Sequence, residues 1–93
     1  MFEWDPAKNA TNRRKHGISF EEAIEIFDGP VLSRADDDIH EERRERSYGL
    51  IHDVVVVCVV HTERGAARRI ISARKATRKE REEFHACLKR TIG

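Results

Sequence analysis

The run VVVVCVV, residues 54 to 60, constrains the fold of this chain more than any other stretch. Seven consecutive apolar residues amount to about a third of a membrane-spanning helix, so the run belongs to a folded interior. Read as a strand it is apolar on both faces, and strands of that kind are central ones, covered on both sides over most of their length. The rest of the chain must supply neighbouring strands and the layers that cover them. Its 93 residues suffice for one small domain, 1–93, with a single modest core.

Candidates for those layers are legible on either side of the run. DPAKNATNRRKHG reads as a helix, with Asp5 as N-cap, Pro6 in the first turn and Gly17 as the stop. ISFEEAIEIFDGP reads as a second helix. Ser19 and Glu22 form a capping box, Ile18 and Ala23 stand where a hydrophobic staple belongs, and Phe20, Ala23, Ile24 and Phe27 mark one buried face. FEW is a possible short edge strand, with Trp4 a core or edge-packing residue. VLSRA and RRERSYGLI are strands joined by the acidic loop DDDIHEE, and His52 and Asp53 turn the chain into the apolar run. ARRIISARK is the next strand, with RG as a tight hairpin turn before it. TRKEREEFHACLKR closes the chain as a helix, capped by Thr77 and Glu80, with Phe84, Cys87 and Leu88 as its apolar stripe. The predicted class is α+β: two N-terminal helices packed on an antiparallel sheet of about four strands, plus a C-terminal helix.

Charge narrows the partners. Residues 17 to 42 hold nine acidic residues against Arg34 alone, whereas residues 61 to 81 hold eight Arg and Lys against Glu63 and Glu80. The formal total is only +1, so the segregation is hidden in the composition. A basic comb of this kind suits an anionic partner. The plain alternative is that the two halves pair with each other inside the domain. No secretory signal is legible at the N-terminus, so Cys58 and Cys87 are expected to be reduced core residues in a cytoplasmic protein. The five histidines never reach a metal-site spacing, so no cofactor is expected.

The chemistry is predicted at the hairpin. With Arg64 and Gly65 as turn residues, Glu63 lies opposite Ala66 and His61 opposite Arg68. One face then carries Val56, Cys58, Val60, Arg69, Ile71 and Ala73, and should meet the helices. The other presents His61 and Arg68, Val59 and Ile70, Val57 and Ser72, Val55 and Arg74. Guanidinium groups bind phosphate oxygens through paired N–H donors and stay charged at any relevant pH. An imidazole exchanges protons near neutrality, and adjacent arginines should favour its neutral form. Metal-free RNA cleavage needs a base for the ribose 2′-OH, stabilisation of phosphorane charge, and a proton for the leaving 5′ oxygen. Arginines could supply the second, and His61 or Glu63 the first or third. His61 at a strand end has an equally simple structural reading, and Arg68 and Arg74 could merely pair with acidic residues. Lys15 and His16, in NRRKH at the end of the first helix, face either the helix dipole or an RNA-facing rim. Lys75 and Arg78 extend the comb.

These segments in this order resemble the BrnT family of type II toxin–antitoxin toxins, relatives of the RelE-like ribonuclease toxins. The resemblance rests on FEWDPAKNATNRRKHGISFEEAIEIFDGP, then HTERG, then RRIISARKATRKER, and residues 33 to 46 match only loosely. It implies a RelE-like fold and a bacterial, cytoplasmic endoribonuclease that works without a metal and inhibits translation. It implies a BrnA-like antitoxin bound in a hetero-oligomer, RNA as substrate with the ribosome as a further candidate partner, operator DNA reached only through the antitoxin, and no membrane. Carried over, the motif positions are His61, Glu63, Arg64, Arg69, Arg74, Lys15 and His16. The family often has tyrosine where this chain has Phe84, so a phenol there is not part of its chemistry. A non-enzymatic nucleic-acid- or protein-binding module is the competing reading, since phosphate-binding arginines look alike whether or not cleavage follows.

Overall fold

Strand β4 (Val55–Arg64) lies at the centre of a five-stranded sheet, as its apolar run requires. The computed structural model describes residues 1–36 and 43–92, with side chains to residue 90. The strand order is β1–β5–β4–β3–β2, where β1 is Phe2–Glu3, β2 is Leu32–Ala35, β3 is Glu45–Ile51 and β5 is Ala67–Lys75. Strands β2 to β5 form the antiparallel meander. Strand β1 joins parallel to β5, Phe2 beside Arg68 and Glu3 beside Arg69. The sheet is thus mixed and five-stranded, which corrects the expected antiparallel sheet of about four. A two-residue strand carries no periodicity to read. The acidic loop predicted at residues 36 to 42 lies, beyond Asp36, outside the described residues.

Both faces of β4 are covered. Helix α1 (Pro6–His16), helix α2 (Phe20–Ala23) and a 3₁₀ segment (Ile24–Asp28) occupy one side. There Ile18, Phe20, Ala23 and Ile26 bury against Val57, Val59, Ile70 and Ala73, with Trp4 set edge-on to Phe20. Helix α3 (Arg78–Ile92) covers the other side, where Phe84 packs with Tyr48, Val56, Cys58 and Ala76. The face predicted to be open for chemistry, that of Val57 and Val59, is therefore the face of the N-terminal helices. Cys58 is buried and Cys87 half-buried, and neither is in a disulfide.

The predicted caps are all formed. The Asp5 carboxylate accepts from Ala7 N–H, Gly17 adopts a left-handed φ of 72° as the C-cap of α1, and the Ser19–Glu22 and Thr77–Glu80 boxes close. The second helix departs from expectation after one turn by tightening to 3₁₀ geometry. Three residues per turn place Phe20, Ala23 and Ile26 in one row, so Ile26 is buried where an α-helical period selected Ile24 and Phe27.

Helix α1 has almost no apolar face and is anchored by a polar side chain. Asn12 is buried; its Nδ2 donates to the carbonyls of Ile18 and Ala73, and its Oδ1 accepts from Ala73 N–H. The amide thus satisfies both backbone groups of Ala73 along the outer edge of β5, as a strand would.

The β4–β5 turn consists of Gly65 and Ala66 rather than Arg64 and Gly65, so Arg64 pairs with Ala67, Glu63 with Arg68 and His61 with Ile70. Gly65 has φ of 59°, and glycine at the first of two central positions is the type II′ pattern that suits strand twist. A bulge follows: beyond His61 and Ile70 the next pair is Val60 with Ser72, leaving Ile71 as the extra residue. The bulge reverses side-chain parity along β5. Arg68 shares a face with His61, whereas Arg74 pairs with Cys58 on the α3 side.

Candidate functional site

The comb of arginines is consequently split between two faces. On the face of the N-terminal helices, His61, Glu63 and Arg68 come together at the hairpin end of β4 and β5. Glu63 Oε1 accepts from Arg68 Nε at 2.7 Å and lies 3.6 Å from His61 Nδ1, an ion-pair distance too long for a hydrogen bond. The Arg68 guanidinium lies over the Phe27 ring, 4.4 Å from its centroid, and the His61 ring meets Phe27 edge-on. Glu63 is half-exposed and lines a cleft of about 230 Å³ with Arg43, Glu45 and Thr62. Thr62 is held there by donating its hydroxyl to the Arg43 carbonyl.

His61 is not at the mouth of the basic face, as the sequence register implied, but buried, with 1 % of its surface exposed. Its Nε2 is 2.7 Å from Ser47 Oγ, and Ser47 Oγ is 2.7 Å from Ser33 Oγ. Burial is the main cause that lowers the imidazole below its ordinary range, and the Arg68 charge is the second. Neutrality was expected from arginines alone; desolvation outweighs them. Arg64, the last residue of β4, is exposed on the rim.

Arg69 faces away from this cluster and donates Nη1 to Glu3 Oε2 at 2.9 Å, tying β5 to β1. It keeps the sheet face of Val60 and Cys58 that the sequence register gave it, because moving both turn residues by one shifts the pairing by two, and at this end of the strand it is partly exposed. Arg74 lies further along that same side of the sheet, the side covered by α3. Its Nη1 and Nη2 hold the two oxygens of Glu80 at 2.7 and 3.0 Å, and Tyr48 Oη donates to the same carboxylate at 2.8 Å. The Arg74 guanidinium is the chief cause that brings Glu80 down to about 2. Burial and the Glu80 contact raise Tyr48 well above the ordinary tyrosine range, so its phenol stays protonated. Burial also pushes the Cys58 thiol up.

The remaining basic positions lie apart. Lys15 and His16 line a groove of about 310 Å³ between α1 and the bulged part of β5, shared with Lys8, Thr11, Ile71 and Ser72. Lys75 is exposed at the end of β5, and Arg78 is exposed on α3, paired with Glu82. The arginines at 68, 69, 74 and 78 thus take their carboxylates from Glu63, Glu3, Glu80 and Glu82, none of them in the acidic segment. Sequence reading missed Arg43, Glu45, Ser47, Tyr48 and Phe27. The alternation of Glu45 and Ser47 in ERSYGLI was the available signal, because both fall on the face of His61 once the strands pair.

The fold is a small α+β domain whose basic hairpin holds a half-exposed carboxylate clamped to arginine, beside a buried imidazole. The sequence model of the family described as ribonuclease toxin, BrnT, of type II toxin–antitoxin system matches residues 4–80. This chain belongs to that family. Its fold is similar to the crystal structure of the Brucella abortus ribonuclease toxin BrnT, with a TM-score of 0.65 and 26% identity over 84% of this chain and 99% of that one. No curated protein matches the sequence. Family membership makes the chain a ribonuclease toxin that pairs with an antitoxin. No helix among the described residues is long and apolar enough to cross a membrane.

Proposed function

We propose that this chain is a metal-independent endoribonuclease of the bacterial cytoplasm that inhibits translation and is neutralised by a BrnA-like antitoxin. The observation that carries the reading is Glu63, a carboxylate at a cleft mouth with Arg68 on one oxygen and Arg43 across the cleft. Among the described residues, no group of three or more His, Cys, Asp and Glu side chains is placed to hold a metal.

In the reaction, Glu63 accepts the proton of a ribose 2′-OH, and the 2′ oxygen attacks the adjacent phosphorus. Arg43, Arg64 and Arg68 stabilise the charge that accumulates on the phosphoryl oxygens. The bond to the 5′ oxygen breaks, water protonates that oxygen, and the proton on Glu63 neutralises the hydroxide left behind. The products are a 2′,3′-cyclic phosphate and a free 5′-OH. His61, being buried, supports Glu63 rather than meeting RNA. Lys15 and His16 in the α1 groove, and Lys75 and Arg78 beyond β5, are placed to hold flanking backbone through counterion release.

The test is cleavage of a defined RNA with translating ribosomes supplied, and with a chelator in a ribosome-free control. Glu63→Gln should lower cleavage about 100- to 10,000-fold, the range for loss of a general base. Products should end in 2′,3′-cyclic phosphate, and chelator should change nothing. RNA binding without cleavage by the wild-type chain would favour a binding module instead. Expression from a tight promoter should arrest growth, and co-expression of the neighbouring gene should relieve it.

A further inference from the structure

His61 and Ser47 are a costly pair to bury in so small a core. A buried polar atom without a partner destabilises a fold by roughly 1–3 kcal/mol, and native interiors hold few of them. His61 Nδ1 is one: it is buried with no hydrogen bond, and Glu63 Oε1 lies 3.6 Å from it. The other ring nitrogen is fully engaged. Ser33 Oγ, Ser47 Oγ and His61 Nε2 form a row of two 2.7 Å contacts that crosses strands β2, β3 and β4. Ser33 lies on the exposed edge strand, while Ser47 has no exposed surface. The row begins at solvent on one side of the sheet and ends at Glu63.

The charges around the ring decide which way its donors point. Arg68 from β5, Glu45 from β3 and Glu63 from β4 are the charged groups that bear on it, and Phe27 closes it from the helix side. A neutral imidazole carries one N–H. Were it on Nε2, the Nδ1 lone pair would face the carboxylate oxygen of Glu63 across a desolvated gap. With the proton on Nδ1, the N–H dipole points at that oxygen and the Ser47 hydroxyl donates to Nε2. The second arrangement is attractive at both ends. Each donor in the row then points the same way, from Ser33 to Ser47 to His61 to Glu63.

We propose that Ser47 is a positioning residue for Glu63: its hydroxyl holds His61 in the Nδ1–H tautomer, which aims the buried N–H at Glu63 Oε1. Arg68 Nε hydrogen-bonds the same oxygen at 2.7 Å, so the carboxylate is fixed by a surface donor and biased electrostatically by a buried N–H 3.6 Å away. The functional part rests on the reading of Glu63 as the base in RNA cleavage; the tautomer itself does not. A carboxylate fixed in this way meets the 2′-OH without first losing rotational freedom, an effect on the chemical step rather than on RNA binding.

The experiment is nitrogen-detected NMR of the imidazole side chains in the ¹⁵N-labelled full-length chain, with His61 assigned by its loss in His61→Gln. The wild type should show the Nδ1–H tautomer at pH 7. Ser47→Ala should move His61 toward the other tautomer or a mixture. Ser33→Ala, at an exposed edge where folding is not at risk, should shift the same signals less. In cleavage assays Ser47→Ala should lower kcat about tenfold and leave KM unchanged, as expected of a group that orients a reacting residue. An Nε2–H tautomer in the wild type, or ring-nitrogen signals and kcat unmoved in Ser47→Ala, would overturn the proposal. If neither the wild type nor Glu63→Gln cleaves RNA, the ribonuclease reading of Glu63 fails while the tautomer measurement still decides the role of Ser47 toward His61.

Discussion

Ile26 sits so close to Gly49 that a Cβ built on the glycine would lie 2.6 Å from Ile26 Cβ. The 3₁₀ segment therefore rests directly on the backbone of β3. This contact places Phe27, the residue before the segment's last, Asp28, against His61 and beneath Arg68. Gly49→Ala should push the segment off the sheet and destabilise the protein by about 1–3 kcal/mol, the range for overpacking a core. Urea denaturation checks this, and cleavage should fall in parallel because the Arg68 platform shifts.

Arg74 and Arg69 should separate sharply in stability. Arg74→Ala leaves the Glu80 carboxylate, with only the Tyr48 hydroxyl and its cap contact, short of its charged partner under α3, and a loss of about 1–3 kcal/mol is expected. Arg69→Ala breaks a partly exposed pair with Glu3 and should change stability by about 1 kcal/mol or less. The register read from sequence, which put Arg69 on the helix-covered face, implied the reverse order. Thermal melts of the two variants decide between them.

The same pair sets an acid limit. Glu80 falls from 4.5 to about 2 in the folded chain, so its contribution is fully present above about 4.5 and is lost as pH falls through about 2. Wild type should lose stability across that window by a few kcal/mol more than Glu80→Gln, a magnitude on the order given by such a shift. Acid titration followed by circular dichroism measures the difference.

His52 works in the opposite direction. Its Nε2 is 3.1 Å from Glu22 Oε2, and that contact, followed by the charge of Glu25, raises the imidazole above 6.5. A raised histidine stabilises the fold below its unfolded value and ceases to do so as pH rises through the folded one. His52→Asn keeps a residue that tolerates the positive φ of 51° at this turn. The melting-temperature gap between wild type and variant should be widest below the ordinary imidazole range and should narrow as pH rises through the raised value of the folded chain.

Arg68→Ala should lower cleavage by about 100-fold, the effect of removing one preorganised charge-stabilising donor. Arg68→Lys should recover little, because an ammonium cannot both reach Glu63 and cover the Phe27 ring as a planar guanidinium does. Single-turnover rates on the ribosome-supplied RNA give the measurement, with melting temperature as the control for folding.

Local chemistry was legible in the chain. Asp5, Ser19 with Glu22, and Thr77 with Glu80 announced their helices because capping joins atoms only a few residues apart. The run from residue 54 to 60 demanded a central, doubly covered strand for the same kind of reason: side-chain alternation is a property of the strand itself. The sequence also placed His61, Glu63 and Arg68 near one hairpin, since a short turn leaves little room for them to be elsewhere.

Tertiary structure decided how those residues face one another. Moving the turn by one residue shifts the pairing by two and keeps each side chain on its face, whereas the bulge at Ile71 adds a single residue, and a period of two makes that step reverse the side chains beyond it. The bulge parted Arg74 from His61, and packing put Ser47 beside an imidazole 14 residues further along the chain, with Ser33 behind it. Cap residues and apolar runs are dictated by neighbours in sequence, and the chain alone determined them. Which arginine meets Glu63, and which nitrogen of His61 meets Ser47, depends on register and burial, and those exist only once the layers have packed.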